Sequence, residues 1–286
     1  MIEAGSNLGF AGGCNRGAEA AGGGLLCFLN PDAVIQGGWR DAIEAPHTDG
    51  RGWTAWQGFV TAEAGRIVNT RGGVVHFTGI AWAGGAGESI EVADGTAGEP
   101  AFVSGACLAL PRQTFLDVGG FCEPFFMYQE DVDLSLRLRL RGGRLGVEGD
   151  ALVDHDYEFE KGGAKWRYLE RNRWATILRT YPLALLLLVM PALWVTELAL
   201  VPVSTAGGWF GQKVQAWLDV IGWLPRLLRE RRAIQRGRKV GAGKFARRLT
   251  PDLNSPYLGR AGTSRLLQGG LRLYWRAVLA VLGGRG

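Results

Sequence analysis

The chain has 286 residues, 47% of them hydrophobic and 21% charged, with a formal net charge of +5. That length allows one large domain or two small ones, and the apolar content is ordinary for a globular protein. Cys14, Cys27, Cys107 and Cys122 show no CxxC spacing, which excludes a cysteine metal cage and a disulfide framework and points to reduced thiols. The first six residues lack the basic-then-apolar pattern of a signal peptide. Charge is uneven: the first 160 residues are acidic or balanced, and the basic excess lies after Lys161. Such asymmetry suggests a surface that faces something anionic, a membrane or a nucleic acid.

In chain order, Asn7 to Gly17 reads as a Gly-rich loop that leads into a short helix from Ala18 to Ala21. Loops of this kind bring backbone N–H groups close to phosphates. Leu25 to Leu29 is a continuous apolar run of strand length, which fits a strand buried on both faces of a parallel sheet. It ends in Asn30-Pro31-Asp32, and ligands of open α/β sheets gather at the carboxyl ends of strands. Asp32 is therefore a candidate metal ligand, or else a turn residue after proline. Trp53 to Ala62 and Val74 to Ile80 suggest short strands, and Gly84 to Gly98 a mobile loop. His76 reads as a packed histidine. Phe102 to Leu110 reads as a second buried strand and Pro111 to Phe115 as the turn into a short helix.

The stretch from Phe125 to Asp133 sets three carboxylates, Glu130, Asp131 and Asp133, behind aromatic residues. A helical run from Leu134 to Arg141 follows, stopped by Gly142-Gly143. Carboxylates in a first turn sit at the positive end of the helix dipole and stay ionised there. Beside an aromatic wall, one of them can act as a general base. The alternative is an acidic N-terminus of a surface helix. Leu145 to Val147 and Ala151 to Val153 read as two short strands that end at Asp154-His155-Asp156, where a neutral histidine can join carboxylates around a divalent ion.

In the tail, Leu183 to Val203 is long enough to reach about 30 Å as a helix. Pro191, Glu197 and Pro202 interrupt it, and a glutamate in lipid is costly. Trp209 to Leu224 recurs with near-helical apolar spacing, and a basic run from Arg226 to Lys239 follows. Tryptophan-rich amphipathic helices beside basic residues favour an anionic membrane surface on its cytoplasmic side. Core helices followed by a solvated basic helix are the alternative. The basic run has no interleaved aromatics and no recognised nucleic-acid-binding signature, so nucleic acid is not an expected partner.

Several of these motifs, taken in order, resemble the family-2 glycosyltransferases, and the rhamnosyltransferase-like bacterial members in particular. They are Asn7-Leu8-Gly9-Phe10-Ala11-Gly12-Gly13, Leu29-Asn30-Pro31-Asp32, Gly105, Val118-Gly119-Gly120-Phe121, the acidic stretch, Val153-Asp154-His155 and Leu169-Glu170-Arg171-Asn172-Arg173-Trp174. The resemblance covers about residues 5 to 180. It implies an α/β fold, a Rossmann-like mixed sheet of GT-A type, followed by C-terminal apolar and basic helices. It implies inverting transfer from a nucleotide sugar (dTDP-, UDP- or GDP-linked) to a glycan or lipid-linked acceptor, assisted by Mg²⁺ or Mn²⁺. By the same resemblance Asp131 is the base, Glu130 orients the acceptor, and Asp32 and His155 hold the metal. Asn7, Gly9, Asn30, Gly105, Asp133, Arg173 and Trp174 fall among the substrate-binding positions.

Two departures stand out: Cys14 occupies a position where the family often has Asn, and Cys122 one where it usually has Asp. Members of the family ordinarily begin with further nucleotide-binding strands, so the GT-A domain is expected to be incomplete, with Leu25 to Leu29 as an open edge, and the chain is expected not to transfer sugar alone. The expected organisation is a partial GT-A domain over 1–175, membrane-associated helices over 176–225 and a basic helical tail over 226–286. The alternative function is a non-catalytic fragment or subunit that binds glycan or membrane.

Overall fold

The computed structural model describes residues 2–91, 98–156, 162–255 and 264–283. Its first half is a mixed sheet with helices packed on it. In chain order the elements are α1 (Gly9–Ala20), β1 (Leu25–Leu29), β2 (Val34–Ile35), α2 (Trp39–Glu44), β3 (Ala55–Ala62) and β4 (Ile67–Thr70). The hairpin β5 (Gly73–Val75) and β6 (Ala81–Ala83) comes next, then β7 (Cys107–Pro111), α3 (Arg112–Val118), α4 (Glu130–Leu140) and β8 (Leu145–Asp154). The second half is helical: α5 (Ala164–Thr180), α6 (Leu183–Ala206), α7 (Phe210–Arg236), α8 (Ala242–Ala246) and α9 (Arg265–Gly283). The sheet order is β1-β7-β3-β8-β2, with β4 on β3; β3 and β8 run parallel and the other pairs antiparallel. The α/β expectation matches this architecture.

Local details differ from the sequence reading for physical reasons. The Gly-rich stretch is mostly helix rather than loop, because α1 starts at Gly9. Burial of Ala11, Gly12 and Ala18 against the sheet outweighs the low helix propensity of its glycines. The strand β1 is present as expected but pairs antiparallel with β7, at the end of the sheet. Leu26 and Phe28 are buried and Cys27 is exposed, so β1 is not enclosed on both faces. The expected strand from Phe102 shortens to Cys107–Pro111, and the five residues before it form a loop. The two short strands after α4 are one strand, β8, interrupted by a register shift opposite Gly58 and Phe59. There the bulge brings the Ala151 carbonyl within 2.5 Å of where a Gly58 Cβ would stand, so only glycine fits. Part of the expected Gly84 to Gly98 loop, residues 92–97, lies outside the described residues.

Helix α4 runs through the centre of the molecule. Val132, Leu136 and Leu140, at four-residue spacing, face one apolar cluster with α5, α6 and α9. Leu134 and Leu138 face another with α1, β1, β7 and α3. Most of its polar side chains are buried as well. Asp133, fully buried, accepts hydrogen bonds from Arg137 at 2.7 Å and from Arg179 of α5 at 2.8 Å. Arg137 also donates to the carbonyls of Val118 and Gly120.

The helical half is folded against the rest instead of trailing from it. Leu185, Leu186, Val189 and Leu193 of α6 share one core with Trp275, Val278 and Leu282 of α9. Phe77 stacks on Trp275 with centroids 4.9 Å apart, and His76, buried as expected, bonds to Thr78 and to the Pro251 carbonyl. Helix α6 continues through Pro191 and Pro202 without a break. Glu197, the residue that counted against a membrane span, turns into the protein. It pairs with Arg173 of α5 and with Lys213 of α7, and accepts from Trp174 and Trp217. Glu170 completes the cluster on Arg173 and Lys213, so two acids and two bases neutralise one another away from water. Removing one partner of such a cluster strands a buried charge, which costs about 3–5 kcal/mol. Lys213→Met is therefore expected to lower the unfolding free energy by about that amount in urea titrations. A loss no larger than that of an exposed ion pair, below about 1 kcal/mol, would contradict the buried-cluster assignment.

Candidate functional site

The acidic stretch folds as a strained loop followed by the first turn of α4. Phe126 (φ 65°, ψ −59°) is the centre of a γ-turn, with the Met127 N–H donating to the Phe125 carbonyl at 2.7 Å. Tyr128 and Gln129 follow, both at φ 66°. Left-handed side-chain-bearing residues cost roughly 1–3 kcal/mol each and persist only where neighbours hold them. The holder is Asn172 on α5, whose Nδ2 lies 3.0 Å from the Phe125 carbonyl, 3.0 Å from that of Met127 and 2.8 Å from that of Tyr128. Arg171 adds bonds to the carbonyls of Pro124 and Phe125. From the other side the Ala11 N–H donates to the Phe126 carbonyl. Gly9, at φ +67°, leaves no room for a side chain, since a Cβ there would lie 2.5 Å from Phe126.

This ridge aims Asp131 at the loop before β7. Its Oδ2 accepts from the Gly105 N–H at 3.1 Å and its Oδ1 from the Val132 N–H at 2.8 Å. Glu130 lies beside it, buried, with Oε2 unpartnered. The dipole was expected to keep these acids ionised; burial and mutual repulsion oppose it. Burial, then the neighbouring Asp131 charge, push Glu130 well above the carboxylate range. Burial raises Asp131 as well, and the Gly105, Val132 and Asp131 backbone N–H groups offset only part of that rise. Glu130 thus holds its proton longer, and Asp131 is the member that ionises first.

A second group gathers at the carboxyl end of β1. Asn30 Nδ2 and Asp32 Oδ1 approach His155 Nε2 at 3.2 and 3.1 Å. The imidazole is buried and the Asp32 side chain is 58% exposed. The acids flanking His155 do other work: Asp154 accepts from Thr61 and the Gly65 N–H, and Asp156 from the Glu63 N–H. Among the described residues no third His, Cys, Asp or Glu joins the pair. An imidazole nitrogen and a carboxylate oxygen 3.1 Å apart match neighbouring ligands of a small octahedral ion with bonds of about 2.1 Å. The donor set thus fits Mg²⁺ or Mn²⁺, with other positions left for ligand oxygens.

The two groups share one edge of the sheet. The Asn30 N–H donates to the Ala106 carbonyl, and Gly105, the residue before, holds Asp131. Other expected positions lie elsewhere. Asp133 is locked between Arg137 and Arg179, and Arg173 and Trp174 are tied into the Glu197 cluster. Asp133 thus faces the interior between α4 and α5, and Arg173 and Trp174 face the interior between α5, α6 and α7. Asn7 caps the turn at the Gly9 N–H, while Gly9 and Gly105 make room for Phe126 and Phe10. Asn172 was not singled out from the sequence; its only signal was a place in the Leu169 to Trp174 motif.

No family model matches the chain. Over 41 residues it is 54% identical to the N-acetylglucosaminyl-diphospho-decaprenol L-rhamnosyltransferase of Mycobacterium tuberculosis, in the CDC 1551 / Oshkosh and H37Rv strains alike. That match covers 14% of this chain and 13% of the relative. Among solved structures the chain is similar to GalNAc-T7 with UDP, GalNAc and Mn²⁺, at TM-score 0.47 and 16% identity over 61% of this chain and 35% of that one. It is also similar to the mannosyltransferase PcManGT from Pyrobaculum calidifontis in complex with GDP-Man and Mn²⁺, at TM-score 0.37 and 13% identity over 96% and 66% of the two chains. The expected resemblance to rhamnosyltransferase-like proteins holds over those 41 residues.

The raised Glu130 value has a measurable sign. Below its ordinary value of 4.5 the carboxyl is protonated folded or unfolded and costs nothing. As pH climbs toward the folded value, only the unfolded state ionises, and stability falls. Glu130→Gln is expected to melt higher than the parent at neutral pH, by about 2–4 °C per kcal/mol relieved, and to match it below about pH 4. A lower melting point at neutral pH would show that Glu130 is ionised and stabilising.

Proposed function

We propose that the chain carries the reaction centre of an inverting, metal-assisted glycosyltransferase that takes a sugar from a dTDP-, UDP- or GDP-linked donor. The reading rests chiefly on one observation: Asp131, held by Gly105, and the Asp32–His155 pair meet through the Asn30–Ala106 bond at one edge of the sheet. Asp32 and His155 would hold Mg²⁺ or Mn²⁺, with Asn30 beside them. When bound, such an ion neutralises charge on the leaving diphosphate.

The residues of the chain supply the rest. Asp131 accepts the proton of an acceptor hydroxyl as the hydroxyl oxygen bonds to the anomeric carbon and the bond to the diphosphate breaks. Inversion follows from attack opposite the leaving group. Glu130, protonated, donates a hydrogen bond that orients the acceptor. Phe126 and Tyr128, partly exposed beside Asp131, offer apolar faces for a sugar ring. The strained loop fixes their direction, so that positioning is set before substrate arrives.

The acceptor is a lipid-linked or envelope glycan met at the cytoplasmic face of a bacterial plasma membrane. Support comes from α6, an apolar helix of 24 residues with mean hydropathy 2.2 and only 28% of its apolar window buried. The mycobacterial relative carries a lipid-linked compound in its name. One face of α6 packs on α5 and α7 through Glu197 and the other is exposed and apolar, and it is this exposed face that lies against the bilayer in our reading.

Asp131→Asn is expected to reduce transfer by about 10²–10⁴-fold while donor binding, measured by calorimetry with Mn²⁺, stays within about twofold. Equal loss of both would move Asp131 from the chemistry to donor binding or folding. Asp32→Ala is expected to weaken Mn²⁺-dependent donor binding by about 10–100-fold; an unchanged metal dependence would remove Asp32 from the ligand set.

A further inference from the structure

Helices α6 and α7 run as an antiparallel pair joined at Gly207-Gly208, and each carries an exposed apolar stripe. On α6, Leu183, Leu187, Trp194 and Leu198 are 61%, 63%, 61% and 71% exposed. Their spacing of four, seven and four residues keeps them on one face. On α7, Leu218, Ile221 and Leu228 are 62%, 66% and 45% exposed. The two stripes meet at the far end of the pair, where α6 begins. There a cleft of about 400 Å³ is lined by Leu183, Leu228, Arg231, Arg232, Gln235 and Arg238.

The cleft gathers cations without a counter-charge, unlike the buried arginines of the interior. Arg137, Arg139, Arg173 and Arg179 each face a carboxylate. Among the described residues no carboxylate pairs with Arg231, Arg232 or Arg238; the α7 glutamate, Glu230, is taken by Arg179 and Arg226. Arg231 donates to the Leu178 carbonyl and Gln235 to the Thr180 carbonyl, which fixes the cleft wall on the end of α5. Burial and then the positive charge of Arg238 lower the Arg231 value, as expected for cations gathered without a counter-charge. The first turn of α6, which contains Leu183, adds the positive end of its dipole.

We propose that this cleft is a binding site for the phosphate headgroup of an anionic membrane phospholipid, whose acyl chains lie along the exposed stripes of α6 and α7. Arg232 and Arg238, both exposed, clasp the phosphate oxygens, for which the guanidinium fork is suited. Leu183 and Leu228, on the rim, take the start of the chains. The site deepens the membrane-facing reading of α6 and depends on it, but not on the chemistry at Asp131. It would dock the two helices in a fixed orientation, with Arg231 and Gln235 carrying that orientation back to α5, the helix that holds the strained loop through Asn172.

The test is co-sedimentation of the 286-residue chain with vesicles of phosphatidylcholine alone and of phosphatidylcholine with phosphatidylglycerol. Binding is expected to require phosphatidylglycerol, and the double variant Arg232→Gln/Arg238→Gln to weaken it by about fivefold per arginine. Arg229→Gln/Arg236→Gln removes the same charge from exposed positions on α7 outside the cleft and is expected to weaken binding clearly less. Equal losses from the two pairs would mean diffuse attraction and overturn the cleft site. No sedimentation with either vesicle would overturn the membrane-facing reading along with it. Release by inorganic phosphate at constant ionic strength would assign the cleft to free phosphate, against the proposal. The Asp131→Asn variant should sediment as the parent does, so failure of the proposed chemistry would leave this result standing.

Discussion

The carboxylate of Asp133, buried between Arg137 and Arg179, decides where the first turn of α4 points. Arg137 reaches on to the loop after α3, and Arg179 belongs to α5, so one side chain joins the sheet half to the helical half. A lone carboxylate in that position would face a large desolvation penalty. With two guanidinium partners and their own further bonds, it instead sets the direction of α4. Asp131 then faces the loop before β7, where it accepts from the Gly105 N–H, while Asp133 faces the interior between Arg137 and Arg179. Two residues apart on a helix, they point to opposite sides of it.

The loop in front of that turn stores strain, and the strain is offset by α5. Three carbonyls of the loop converge on the single amide of Asn172, with the backbone left-handed at Phe126, Tyr128 and Gln129. The same helix sends Glu170 and Arg173 into the ion cluster with α6 and α7. Through α5, helices α6 and α7 are joined to the aromatic ridge beside Asp131. Burying Glu130 next to Asp131 works against stability, which is the usual direction of compromise where acids are tuned for proton transfer.

Much of this was legible in the sequence where a residue acts locally. The β1 strand, the helical run after the acids, its Gly142-Gly143 stop and the His155 strand end follow from apolar runs and glycine punctuation, and all are present. Residues whose role depends on distant partners were harder to read. Glu197 looked like an obstacle within an apolar helix because nothing near it in sequence announces Arg173 or Lys213. Asp133 could not be told from Asp131 without the helix phase, since both belong to the same acidic run. The glycines of α1 looked like a phosphate loop because their helix is imposed by packing on the sheet and not by local preference. Asn172 carries no charge and no periodic signal, so the grip on the loop was invisible until the three carbonyls were placed around it.

The central claim is that a divalent ion held by Asp32 and His155 shares a cleft edge with Asp131. The most direct measurement is anomalous diffraction at the manganese edge from crystals of the chain grown with Mn²⁺ and a nucleoside diphosphate. The account predicts a peak bonded to Asp32 Oδ1 and His155 Nε2, with the diphosphate on the Asp131 side of the sheet edge. A manganese peak elsewhere, or a diphosphate walled off from Asp131 by the loop before β7, would contradict it.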